Sequence, residues 1–183
     1  MKTVLALLSM AAAAAAQDFK FENKPDNLKA YLVAIQGRIE SDAKTAAAMT
    51  RALVCDEARL KKAIRDDAAK DMVDKLLAGF KPMLEAPDDK VAPAFKVPAD
   101  RSECTVHGAT TEEIARYEKD SVAYKEFPGG AQKLAASLLR AGVTFYEVEF
   151  CKPGEDAGTK YHLFFWDGEK WAMLGAAWRA LPK

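Results

Sequence analysis

The stretch HLFFWDGEKWAM, His162 to Met173, sets an Asp-Gly pair between two apolar runs, the strongest short-range signature of a β-hairpin. Asp167 and Gly168 take up the positive backbone angles of a tight turn at little cost. Loop length then fixes the faces. A two-residue loop sets Phe164 opposite Trp171, and a four-residue loop sets Trp166 opposite it. Either choice gathers His162, Phe164, Trp166, Trp171 and Met173 on one face and Tyr161, Leu163, Phe165, Ala172, Leu174 and Trp178 on the other. A hairpin apolar on both sides has to be covered on both sides, because burying one Phe or Leu is worth roughly 1.5 to 3 kcal/mol. One cover is a helical layer. The other is packed protein or the wall of a pocket, so His162, Phe164, Trp166, Trp171 and Met173 are the candidate ligand-binding residues.

The preceding strand, VTFYEVEF, is one-sided, with Tyr146, Val148 and Phe150 alternating against Glu147 and Glu149. With KYHLFFW and WAMLGAAW it makes three consecutive strands, which favour an antiparallel meander. ECTVH adds a strand before them, and SVAYKEF reads as another. TTEEIARYEK opens with a capping box of Thr110 and Glu113. In PGGAQKLAASLLRAG, Pro128 can start a helix and Gly142 can end it.

Further towards the N-terminus, Leu28, Tyr31, Leu32, Ile35 and Ile39 recur at helical spacing, and the period runs on through Ala46, Met49 and Leu53 with Gly37 as its weak point. A second period joins Leu60, Ile64, Val73, Leu76, Leu77 and Phe80. Charges such as Glu57 with Lys61, Lys62 with Asp66 and Lys70 with Asp74, four residues apart, describe a solvated helix face. The three prolines of EAPDDKVAPAFKVPADR read as a surface linker. The fold class is therefore α+β: an N-terminal helical hairpin, then helices packed on a curved antiparallel sheet. The organisation is a leader over 1–16, a helical region over 17–85, a linker over 86–101 and an α+β domain over 102–183.

The opening MKTVLALLSMAAAAAAQ has a positive charge at Lys2, a short apolar run and an A-x-A site at Ala14 to Ala16, the pattern of a cleaved export signal. Cleavage after Ala16 yields a bacterial protein, secreted or periplasmic, that starts at Gln17 and has no membrane anchor. The chain carries 27 acidic and 27 basic side chains, and this balance argues against a nucleic-acid partner.

Chemistry-bearing motifs are sparse. Cys104 and Cys151 are the disulfide candidates of an oxidising compartment; idle buried thiols, including Cys55, are the alternative. Cys104-x-x-His107 with Cys151 and His162 offers four metal-ligand types, but the second pair lies too far apart for the usual structural zinc spacing. Neither cysteine opens a helix, as an activated nucleophile would. FPGG reads as a turn, and Glu147 with Glu149 as a solvated pair. No cofactor is expected.

The helix starting at Pro128, the antiparallel meander and the hairpin W-D-G-x-x-W (Trp166, Asp167, Gly168, Trp171) together resemble the C-terminal part of nuclear-transport-factor-2-like domains over residues 128 to 180. The chain departs from that pattern in having three strands after the helix instead of four. The resemblance implies a cone-like aromatic cup, used in that superfamily for small-molecule binding, for catalysis and for protein association. The leading expectation is a non-catalytic exported protein that binds a small molecule or an envelope protein. The alternatives are an enzyme with His162 as acid or base beside Trp166 and Trp171, and a scaffold acting through the helices of residues 26 to 84.

Overall fold

The computed structural model describes residues 22–181. The export leader and its cleavage after Ala16 lie outside the described residues. The fold is α+β, with helices packed on an open, curved, four-stranded antiparallel sheet. The strands β1 (Glu103–Thr110), β2 (Thr144–Cys151), β3 (Thr159–Trp166) and β4 (Trp171–Met173) lie in the order β1-β2-β3-β4.

The two helical periods of the sequence divide into α1 (Pro25–Arg38), α2 (Ala43–Ala52), α3 (Glu57–Ala63) and α4 (Lys70–Glu85). The starts of α2 and α3 have a local cause. Asp42 accepts the Thr45 amide and Asp56 accepts the Arg59 amide, so both carboxylates start new helices. The freed backbone is used for tertiary pairing: Val54 bridges Met173 in parallel, and Ile64 bridges Leu139. The proline-rich stretch is also more ordered than a linker. It forms α5 (Asp88–Val91) and a 3-10 turn (Ala92–Phe95), with Pro87 as a cap and Pro93 in the first turn, where a missing N–H costs nothing. Val91, Ala92 and Phe95 are buried, and Arg51 ties the segment down through Asp88 and the Ala86 carbonyl, both at 2.6 Å.

α6 (Thr111–Arg116) begins with the expected capping box, Thr110 and Glu113 satisfying each other's amides. The stretch SVAYKEF is not a strand. Ser121 accepts the Tyr124 amide and starts α7 (Val122–Glu126), which buries Ala123 and Phe127, four residues apart. α8 (Gly129–Ser137) follows Pro128 directly.

Both sheet faces are covered. On one, Phe145, Leu163, Phe165 and Ala172 pack against α3, α6, α7 and α8. On the other, Tyr146, Val148, Phe150, Phe164 and Trp171 pack against α1, α2 and Phe95. The two layers are joined at Arg59, a buried guanidinium. Its Nε donates to Asp167 at 2.5 Å, and its terminal nitrogens donate to the carbonyls of Ala52, Val54 and Trp171. Burial alone would raise the Asp167 carboxyl; the Lys170 and Glu169 amides and the Arg59 guanidinium outweigh it and hold the group below its usual range.

A carboxyl depressed on folding stabilises the protein above its ordinary pKa and loses that contribution as pH falls. Arg59→Met should therefore lower stability by about 3 to 5 kcal/mol at neutral pH, by leaving Asp167 buried and unpaired. In urea titrations the gap between wild type and variant should narrow as pH falls below about 4. A gap that stays constant down to acid pH would contradict the charge pairing.

Candidate functional site

The hairpin loop spans four residues, with Trp166 opposite Trp171, Phe165 opposite Ala172 and Phe164 opposite Met173. Asp167 shapes it by accepting the amides of Glu169 and Lys170 at 2.9 Å, and Gly168 has φ +102. Phe164, Trp166, Trp171 and Met173 share a face as the alternation predicts, but His162 does not join them. A β-bulge between β2 and β3 sets His162 and Leu163 together against Glu147, with Leu163 at φ +53. The extra residue moves His162 to the opposite face and brings Tyr161 to the aromatic one, where it packs against Phe95 at 4.9 Å.

The aromatic face is core at its centre. Phe164 is fully buried, Trp171 is 2 % exposed, and the Trp171 ring meets Tyr146 and Trp166 edge-on at 5.3 Å each. Trp166 and Met173 are half-buried at its border. The Trp171 Nε1 has no hydrogen-bond partner among the described residues, so the side chain sits there for its apolar bulk.

The opposite face carries charge where the sequence suggested a solvated strand. Glu147 and Glu149 are buried, at 1 % and 5 % exposure. Glu147 Oε2 lies 2.5 Å from His162 Nδ1, and its Oε1 accepts the Leu163 amide at 3.3 Å, so one carboxylate holds both residues of the bulge. Burial pushes the Glu147 carboxyl up; His162 and the Leu163 amide recover only part of that shift. Glu149 accepts the Gly158 amide at 2.6 Å and lies 3.3 Å from Lys160 Nζ, which also bonds Glu126 of α7 at 3.0 Å. Burial alone would lower the Lys160 ammonium, and the two carboxylates outweigh it and raise it. His107, opposite Glu147 on β1, lies 3.9 Å from Glu126. The His162 ring packs edge-on against Trp178 at 5.1 Å, and Trp178 lies so close over Gly130 that any side chain there would strike the indole. These groups satisfy one another, and the chain they form fixes the bulge.

The cysteines are brought near one another without being bridged. Cys104 pairs with Phe150 and Cys151 with Glu103, so the two thiols point to opposite faces of the sheet. Cys55, Cys104 and Cys151 are all free and buried, which corrects the disulfide candidate. The same alternation separates Cys104 from His107. Among the described residues no group of three or more His, Cys, Asp or Glu side chains is placed to hold a metal ion. Burial pushes the Cys55 thiol up to about 12 and the Cys104 thiol up to about 11; burial and the Glu149 and Glu103 charges raise Cys151 too. A nucleophilic cysteine needs the reverse shift.

Open space lies elsewhere. A cleft of about 430 Å³ runs between the C-terminal half of α1 and residues 96–102, with Val33, Ile39, Val97 and Phe150 as its apolar walls. Val33 is 46 % exposed, high for a large apolar side chain. Gln36 anchors the far wall, donating to the Phe95 carbonyl and accepting the Val97 amide. A Cβ at position 37 would meet nothing within 4 Å. The sequence marks Gly37 only as a weak helix position; the opposing wall comes from a segment nearly sixty residues on, which no local pattern connects to it.

The chain matches no protein-family model, no curated protein and no solved structure. Among the described residues no helix is long and apolar enough to cross a membrane.

Two measurements check this geometry. A buried carboxyl raised on folding adds stability at low pH that is lost as pH rises above its ordinary value. The stability of wild type relative to Glu147→Gln should therefore fall as pH is raised from about 4 to 7, whereas a solvated Glu147 would give no trend. Thiol counting should find three free thiols in the unfolded chain and very slow labelling of the native protein; a count of one would restore the bridge.

Proposed function

We propose that this chain is an exported, non-catalytic binding protein that takes a small, largely apolar molecule in the cleft between α1 and residues 96–102. The observation that carries this reading is the cleft itself. Its volume of about 430 Å³ falls within the usual range of ligand pockets, its walls are mainly apolar, and Gln36 ties its far wall to α1. The export leader of residues 1–16 supports placing it outside the cytoplasm. The nuclear-transport-factor-2-like relationship of residues 128–180 remains part of the proposal, supported by α8 running into the antiparallel strands β2 to β4. The ligand position proposed here is not that family's aromatic cup, since Phe164 and Trp171 are packed under α1, α2 and Phe95.

Gly37 gives the test. Gly37→Trp adds a side chain whose Cβ meets nothing within 4 Å and removes an unfavourable glycine from a helix, so the variant should be as stable as wild type or slightly more so. Titration with the neutral fluorophore N-phenyl-1-naphthylamine should give saturable enhancement with wild type and little with Gly37→Trp. No enhancement with wild type, or equal enhancement with both proteins, would reject the cleft.

A further inference from the structure

We infer that the ligand of this cleft is an amphipathic anion, an apolar body ending in one carboxylate-like group, and that Arg101 is the residue that selects it. The inference rests on the cleft reading above and adds the ligand's charge to it.

Among the described residues, three charged ones line the cleft: Glu40, Lys96 and Arg101. Glu40 and Lys96 cancel, since Lys96 Nζ lies 2.9 Å from the Glu40 carboxylate. The carboxylate next to Arg101 in the chain, Asp100, is engaged by Lys152 at 3.0 Å. Arg101 is left with a neutral partner: its Nη1 donates to the Thr159 hydroxyl, and among the described residues no carboxylate pairs with it. The other half-buried or buried arginines that join separate elements are neutralised, Arg51 by Asp88, Arg59 by Asp167 and Arg140 by Asp66.

A partly desolvated cation without a counter-charge is an unfavourable arrangement that a bound anion relieves. The guanidinium suits this purpose because it stays charged at every physiological pH and presents paired N–H donors to a carboxylate. Thr159 occupies one donor and fixes the side chain, so little freedom is lost when the remaining donors bind. The apolar walls at Val33, Ile39 and Val97 then take the body of the molecule. A neutral ligand would leave the guanidinium uncompensated, and a cationic one would be repelled.

Isothermal titration calorimetry with decanoate and decanol, which share a chain and differ in charge, tests this. Wild type should bind decanoate about tenfold or more tightly than decanol. Arg101→Gln should abolish that preference while leaving decanol affinity unchanged, and Arg101→Lys should keep part of it. Equal affinity of wild type for the two ligands, both blocked by Gly37→Trp, would overturn the anion inference and leave the cleft reading standing. Binding of neither ligand would overturn both. A preference that survives in Arg101→Gln would overturn the role of Arg101. Should Arg101→Gln fail to fold, as judged by circular dichroism, the wild-type comparison and Arg101→Lys still decide.

Discussion

Arg59 is the point on which the two halves of this fold depend. A guanidinium taken out of water without partners costs several kcal/mol, and here the partners come from two distant pieces of chain. The Ala52 and Val54 carbonyls close the end of α2, the Trp171 carbonyl belongs to β4, and Asp167 belongs to the hairpin turn. Satisfying one side chain thus places the helical region against a hairpin more than a hundred residues further on. The adjacent backbone follows, since the Met173 amide donates to the Leu53 carbonyl at 2.8 Å and extends the sheet edge into the loop between α2 and α3. This attachment sets α1 and α2 over Phe164 and Trp171 and makes the aromatic face a core.

Glu147 settles the other face in the same way. A carboxylate at 1 % exposure survives only where donors reach it, and a regular β3 would offer one side chain opposite it. The bulge offers two contacts at once, the His162 ring and the Leu163 amide. The cost is a leucine at φ +53, on the order of 1 kcal/mol for a non-glycine residue in the left-handed region. That is smaller than the cost of leaving a buried carboxylate short of a partner. The irregularity in the strand is the cheaper solution to a polar residue on a covered face.

The division between what could and could not be read from the sequence follows from this. The Asp-Gly turn, the capping box at Thr110, the helix start at Pro128 and the two-sided hairpin are local signals, and the structure contains them all. The position of His162 was not legible. Strict alternation assigns it to the Trp171 face, and only the distant burial of Glu147 calls for the bulge that reverses it. Glu147 and Glu149 read as solvated for a related reason: nothing nearby announces that Lys160 and α7 will cover them. Arg59 did leave a trace, since it lies four residues before Ala63 on the buried side of α3, a charge inside an apolar stripe. At Ser121 the cap prevails over the β-propensity of the residues after it, because its hydroxyl takes the Tyr124 amide and starts α7 where strand-like composition suggests a strand. Between Cys104 and Cys151, one step of register separates adjacent thiols on one face from diagonal ones on two.

The same packing explains why free volume appears at the margin of the aromatic layer. Trp171, Phe164 and Phe95 interdigitate at the middle of the sheet, where α1 and α2 both cover it and each buried aromatic is worth roughly 1.5 to 3 kcal/mol. Towards the C-terminal end of α1 that cover thins. Gly37 contributes no side chain, and the opposing strip from Lys96 to Ser102 contains Pro98, which cannot donate a backbone hydrogen bond to draw the strip in. Gln36 bonds the far wall at Phe95 and Val97, so the gap cannot close by collapse of that segment onto the helix without breaking those bonds. What remains is a trough with apolar walls, tied across by Gln36, and among the described residues that line it Arg101 has no carboxylate partner. A space of that kind is costly to leave wet along Val33 and Val97, and it is polar enough at one end to orient what enters it.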